Sequence, residues 1–227
     1  MSVNPRRTGR PPLISRGAVL TKALQIVDAD GLDALTMRRL GAELGVDPMA
    51  VYRHVSDKAA LYDGLVESVY AAIEYPPRTG DWSADFPALI RALRTTLLAH
   101  PSVVPLLGTR PVISPGGFRA MEAALTVLLD AGFSPQDAAD AVDCAARLVV
   151  GHVLAEAGSP PVPDLGGGEA EHRQRQAELP PKEFPGLSAV NQAGVRHDAG
   201  RLFEKGLRGL TLELARTGAV NAPAPPR

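Results

Sequence analysis

The chain has 227 residues, a length that suits two domains sharing an interface better than one small domain. Hydrophobic residues make up 45% and charged residues 22%, a globular balance that excludes a disordered chain, and no window approaches the roughly 18 uninterrupted apolar residues of a spanning helix. The net charge of −1 read globally argues against a nucleic-acid partner, but residues 1–60 carry nine Lys/Arg against six acids, +3, which leaves −4 for the remainder.

Residues 1–14 read as a flexible basic arm. Arg6, Arg7, Arg10 and Arg16 fall within the first sixteen residues with no acid among them. Such an arm suits phosphates or the negative potential of a narrow minor groove, and a solvated tail is the alternative. No apolar signal core follows these arginines, so the expectation is a cytoplasmic protein with no membrane partner.

Ser15 is placed to cap a helix running to about Ala29, with Val19, Leu20, Ala23, Leu24, Ile26 and Val27 at helical spacing and Gly31 as its stop. A second helix starts at Thr36, with Met37, Leu40 and Leu44 on one side and Arg38, Arg39 and Glu43 on the other. Gly45 then permits a sharp left-handed turn, which Val46 anchors. Asp47 followed by Pro48 reads as an N-cap and first helical residue, because proline's missing N–H costs nothing there. The helix it opens is short, 48–54. Ser56 is expected to cap a fourth, with Leu61, Leu65, Val66 and Val69 on its apolar side.

Tyr75-Pro76-Pro77 marks a change to leucine- and alanine-rich helices without basic clustering. The division expected is a helix-turn-helix domain at 15–73, a helical domain at 74–220 and a disordered tail at 221–227. Helical periodicity covers about 81–99, 101–107, 114–131, 135–157, 180–191 and 198–216. The Gly- and Pro-rich stretch Gly158 to Gly168 reads as an exposed loop. No alternating strand pattern competes, so the fold class is all-α. The single cysteine, Cys144, excludes an intrachain disulfide and is expected as a small buried core residue.

The run TMRRLGAELGVDPMAVYRHV, Thr36 to Val55, carries the functional signal. Two steeply crossing helices need a small residue at their contact and a glycine turn soon after, which Gly41 and Gly45 supply. With Leu40, Leu44, Val46, Val51 and Val55 turned inward, Pro48, Met49, Ala50, Tyr52, Arg53 and His54 remain on the outer side of a helix small enough to enter a major groove. Arg38 and Arg53 are the side chains here able to contact guanine O6 and N7 in bidentate fashion.

These residues resemble the tetracycline-repressor (TetR) family, on Leu35, Thr36, Arg38, Leu40, Leu44, Gly45, Val46, Tyr52, His54, Lys58 and Leu61, with Gly41 standing where alanine is usual. The resemblance covers about the first 70 residues. It implies phosphate contacts from Thr36, Tyr52, His54 and Lys58, and base-edge contacts from Arg38, Met49, Ala50 and Arg53 of a double-stranded operator. Lys58 also makes physical sense at a helix N-terminus, where backbone N–H groups already favour a phosphate.

The later helices resemble the ligand-binding and dimerisation domain of that family, through LLGTRP at Leu106 to Pro111 and the long helix at Ala131 to Ala157. Phe203, Leu207, Leu210 and Leu214 form a second apolar seam, and two such helices from each chain would make a four-helix homodimer interface. A seam buried within one chain is the alternative. The resemblance also implies a magnesium–drug chelate held by two histidines and a glutamate, but those positions are here Leu106, Glu74 and Ala155. Loss of two ligand-type groups predicts no metal and no cofactor. The effector expected is a small, mostly apolar molecule, near Glu74, Trp82, Phe86, His100, Leu106 and Thr109, with Arg110, Phe118, Met121, Asp143 and Arg147 as further candidates. Core packing or a structural hydrogen bond is the alternative reading of each.

No HExxH, GxSxG or phosphate-binding glycine loop is present, so the expectation is a regulator and not an enzyme. A repressor released from its operator by a ligand is the main reading. An architectural or ligand-independent DNA-binding protein is the rival.

Overall fold

The computed structural model describes residues 14–109, 113–157, 169–195 and 198–221. Arg6, Arg7, Arg10, Arg110, the stretch 158–168 and the tail past Asn221 lie outside the described residues. The described residues are helical, with no strand among them. They form two compact units, one up to Tyr75 together with Thr95–Ala123, the other Pro76–Arg94 together with Ala124 onward.

The first unit opens with α1 (Arg16–Asp30), where Ser15 Oγ accepts the Ala18 N–H at 3.1 Å, the N-cap bond expected. Val19, Leu20, Ala23, Ile26 and Val27 form its buried face. The chain stops at Gly31, passes through a 3-10 turn at Leu32–Ala34 and enters α2 (Met37–Leu44). Thr36 is the cap of α2 and not its first residue, its Oγ1 accepting the Arg39 N–H at 3.1 Å. Gly45 adopts φ +67°, the left-handed conformation that ends α2 and that a Cβ disfavours. Gly41 serves a different need. A Cβ there would stand 3.0 Å from the Val46 carbonyl oxygen and 3.1 Å from the Pro48 nitrogen, so an alanine fits only if the turn backs away from α2 by a few tenths of an ångström.

Asp47 Oδ1 then accepts the Met49 N–H at 2.8 Å, and α3 runs Pro48–Tyr52. It is two residues shorter than the sequence suggests, with Arg53 and His54 in the turn that follows. The fourth helix, α4 (Lys58–Ala71), is capped by Asp57, not by Ser56 as the sequence suggested. Asp57 Oδ1 accepts the Ala60 N–H at 2.7 Å, while the Ser56 hydroxyl donates to Asp57 Oδ2 at 3.2 Å. An ionised carboxylate is the stronger acceptor for a helix amide, which leaves serine the supporting role. Leu61, Leu65 and Val69 of α4, which packs on α1, are almost wholly buried, as are Leu35, Leu40, Val51 and Val55.

The rest of this unit comes from α5 (Trp82–Ala99), a 3-10 turn at Pro101–Val103, α6 (Val104–Thr109) and α7 (Pro115–Asp130); α5 and α7 contribute residues to both units. The 3-10 turn packs on α1 and α6 packs on α4. His100 Nδ1 lies 2.9 Å from Asp28 Oδ2 of α1.

In the second unit α8 (Pro135–Ala157) packs against α11 (Ala199–Asn221). Ala138, Ala141, Ala145, Val149 and Val153 are the buried stripe of α8. Cys144 is exposed, a correction to the expected buried position. It precedes Ala145 by one residue, about 100° round the helix, and so misses the stripe. The α11 seam is corrected too: Phe203, Leu207 and Leu214 are buried within the chain, and Leu210 is half-buried. Two shorter helices, α9 (Glu169–Ala177) and α10 (Pro185–Gln192), pack on each other. The first has no apolar periodicity to announce it, and Pro180–Glu183 forms a turn ahead of the second.

Candidate nucleic-acid interface

The geometry of α2, the turn and α3 sorts side chains by face. Val51 is buried beneath α3, while Met49 keeps 66% of its surface exposed and Tyr52 and Arg53 are exposed beside it. Pro48, Ala50 and His54 are half-buried. Asp47 uses its carboxylate to cap α3, accepting the Met49 N–H.

Arg38, on the first turn of α2, is exposed and pairs with no described residue, and the same is true of Arg53. Arg39 differs, since its guanidinium is bound to Asp30 at the end of α1. Neighbouring arginines in the RR pair thus divide between a structural tie and an available donor. Thr36 is exposed at the N-terminus of α2. Lys58 is exposed at the N-terminus of α4, its Nζ 5.4 Å from the centre of the Tyr62 ring. The helices before and after the short α3, α2 and α4, thus each begin at a capped N-terminus with its partial positive charge, and each N-terminus carries a side chain able to donate or attract toward a phosphate. Backbone and hydroxyl hydrogen bonds hold the Asp57 carboxyl below the usual aspartate range, so the cap that positions Lys58 is ionised at neutral pH. Asp57 went unnoticed in the sequence because Ser56 and Asp57 are both good caps and neither has a Glu or Gln three residues on to single it out.

The residues picked for an effector fall in two places. In the first unit Glu74 and Thr109 are exposed, Leu106 is buried, and Phe118 and Met121 are exposed on α7. Thr109 Oγ1 donates to the Pro105 carbonyl at 2.8 Å, and His100 is engaged with Asp28. In the second unit Phe86 is fully buried and Trp82 packs edge-on against Phe133, ring centres 4.9 Å apart. Asp143 and Arg147 pair with each other one turn apart on the exposed side of α8. A cleft of about 360 Å³ opens between α9 and α10, lined by Gln176, Leu179, Phe184, Ser188 and Asn191 among others, and none of the predicted effector residues borders it. No helix among the described residues is long and apolar enough to cross a membrane.

A capped helix, a glycine turn, a short exposed helix and a second capped helix after it define a DNA-binding transcriptional regulator of the helix-turn-helix class. Comparison with known proteins agrees. Residues 19–65 match the model for bacterial regulatory proteins of the tetR family, and residues 76–211 match the tetracyclin repressor-like C-terminal domain. The HTH-type transcriptional repressor DrrR1 of Streptomyces coeruleorubidus is 32% identical over 82% of this chain and 67% of its own length. The class A tetracycline repressor from transposon 1721 of Escherichia coli is 34% identical over 89% of this chain and 91% of its own. Apo ActR of Streptomyces coelicolor superposes with a TM-score of 0.80 at 28% identity, over 95% of this chain and all of that one, and ActR has also been solved in complex with actinorhodin. The chain belongs to the TetR family of ligand-responsive, DNA-binding transcriptional regulators.

Proposed function

We propose that the chain is a repressor that binds a pseudo-palindromic operator as a homodimer and is released by a small, mostly apolar effector. The observation that carries this reading is the pair of exposed guanidiniums that bind no described residue, Arg38 and Arg53, next to an exposed α3 in a run where α2 and α4 each begin at a capped N-terminus. Residues 15–73 are the DNA-binding domain, with 1–14 as a basic arm beside it, and 74–220 bind effector and partner. Arg38, Met49, Ala50 and Arg53, with Pro48 at the head of α3, face base edges. Thr36, Tyr52, His54 and Lys58 hold phosphates.

Because the apolar seam of α11 is used inside the chain, the dimer surface is assigned to the outer faces of α8 and α11. There Cys144, Gly151, Ala155, Gly209 and Leu212 are exposed. Small residues let two helix pairs approach closely into a four-helix bundle. Two relatives support a small-molecule input: ActR has been solved with actinorhodin, and the class A relative is a tetracycline repressor. Leu106 and Ala155, at two of the family's chelate-ligand positions, supply no metal ligand, so the effector here binds without a magnesium chelate. The lever is α4, which carries Lys58 at one end and packs against α6. To release DNA, the effector must bind the released form more tightly, with a coupling of typically about 1–3 kcal/mol.

The test is footprinting on the DNA flanking the chain's own gene, with sedimentation of the complex and a compound screen for release. Two protected half-sites about one helical turn apart, occupied by one dimer, are expected. Binding by a monomer to a single half-site would overturn the operator model. Failure of any compound to release DNA would favour a ligand-independent DNA-binding protein.

A further inference from the structure

We propose that Glu67 is a positioning residue for operator binding, clamping α4 to the first turn of α7. This rests on the DNA-binding reading above and adds the contact through which α4 is held. Glu67 lies nine residues beyond Lys58, about 13 Å along the same helix. Its Oε2 accepts the Gly116 N–H at 2.7 Å, and its Oε1 lies 3.5 Å from Arg119 Nη2. Pro115 has no N–H, so the Gly116 amide is the first that α7 can offer. Ser114, buried just before the helix, takes the next amide, with its Oγ accepting from Gly117 at 3.2 Å. The local cap thus satisfies one amide, and a carboxylate 49 residues earlier in the chain takes the other.

The glycine is part of the arrangement. A Cβ at position 116 would stand 2.8 Å from Glu67 Oε2, inside contact distance, so an alanine there requires the carboxylate to shift. The carboxylate meets a backbone amide at the positive end of α7 with Arg119 beside it, which makes this a charge-assisted contact and not a surface pairing of two flexible side chains. Glu67 keeps only 24% of its side chain exposed. A displacement of α4 therefore strains or breaks a specific bond to α7. By reciprocity, DNA that fixes α4 must also quieten the front of α7.

The experiment uses the full chain with a duplex carrying the footprinted operator and measures hydrogen exchange over residues 114–119, resolved at the Gly116 amide. In the unaltered protein the operator is expected to slow that exchange about ten-fold, the scale of one charge-assisted hydrogen bond. Glu67→Ala is expected to reduce the effect to below about two-fold and to weaken operator binding about ten-fold while leaving non-specific duplex unaffected. Glu67→Gln, which keeps an acceptor without the charge, falls between. Gly116→Ala crowds the carboxylate from the other side and is expected to lower the DNA-dependent protection in the same direction, which covers the case of a poorly folding Glu67→Ala. Protection that is absent in the unaltered chain on its operator, or undiminished in both variants, would overturn the clamp alone. A chain that binds no duplex would sink the DNA-binding reading and the clamp with it.

Discussion

Arg38 and Arg53, next to α3, face solvent and bind no described residue, whereas in the second unit Arg78, Arg91 and Arg94 are used in long-range ion pairs. Arg78, Arg91 and Arg94 instead pair with Asp130, Glu204 and Glu156, and Arg94 also lies over the Phe203 ring, 4.8 Å from its centre. Arg91 makes two parallel bonds to Glu204, both at 2.8 Å, and this pairing raises the arginine's pKa and lowers the glutamate's. The exposed pairs of Arg78 and Arg91 contribute only about 0–1 kcal/mol each, so they orient helices more than they hold them. The lesson is that net charge says little about this chain's partners; what matters is which guanidiniums the fold has already spoken for.

If the second unit is held by its apolar seam, breaking that seam gives the largest effect. Phe203 is almost fully buried and packs against His152 and Arg94. Phe203→Ala is expected to lower stability in urea by about 3–5 kcal/mol, independent of protein concentration. Leu212, 61% exposed on the other side of α11, should behave in the opposite way. Leu212→Glu is expected to leave the folding of the single chain intact and to dissociate the dimer by sedimentation. A concentration-dependent loss from Phe203→Ala and none from Leu212→Glu would exchange the two faces and restore the seam as the dimer surface.

That contrast also marks where the sequence was legible. The spacing of apolar residues located all the helices up to Ala157, and Ser15, Gly45 and Asp47-Pro48 located turns because each residue type answers a local backbone requirement. Met49, Tyr52 and Arg53 are exposed as the same local pattern suggested, while Pro48, Ala50 and His54 are half-buried. What periodicity cannot say is which surface an apolar stripe covers: the α11 seam looked the same whether it met α8 or a second copy. Cys144 was misplaced for a related reason, since α8 is small or apolar on most sides and only packing distinguishes its buried stripe. Long-range polar contacts such as Glu67 to Gly116 and His100 to Asp28 leave no trace in spacing at all.

On the DNA-facing side the comparison sharpens into two arginine and lysine roles. Arg53→Ala is expected to remove about 1–3 kcal/mol of discrimination between matched and mismatched operators, because a bidentate base contact has no counterpart on the wrong base. Lys58→Ala should weaken all duplexes alike and reduce the salt slope by about 1, since a phosphate contact carries no sequence information. Titrations of both variants on matched and mismatched duplexes at several salt concentrations check the pair. Equal losses on all sequences for both would dissolve the division.

The smallest effect separates the two regions by a shared device. Asp57 in the helix-turn-helix and Asp85 in the second unit each use a carboxylate to hold backbone amides. Asp57 takes Ala60, and Asp85 takes Thr79 N–H at 2.8 Å, Thr79 Oγ1 at 2.7 Å and Gly80 N–H at 3.0 Å. Both carboxyls are held below the usual aspartate pKa, Asp57 chiefly by the Ala60 amide and Asp85 by the Thr79 amide and hydroxyl. With the folded pKa depressed, the unfolded chain binds the proton first. The contribution is therefore complete above the unfolded value, about 3.9, and is lost as pH falls through the folded one. Asn caps helices nearly as well as Asp, so Asp57→Asn should match the unaltered protein at pH 7 and show a shallower loss of stability below about pH 4. Asp85→Asn should already be weaker at pH 7, because an amide nitrogen cannot accept the Gly80 or Thr79 bonds that a second carboxylate oxygen takes. Urea melts from pH 3 to 7 compare the two, and an Asp57→Asn protein that loses stability with acid as steeply as the parent would remove that cap from the account.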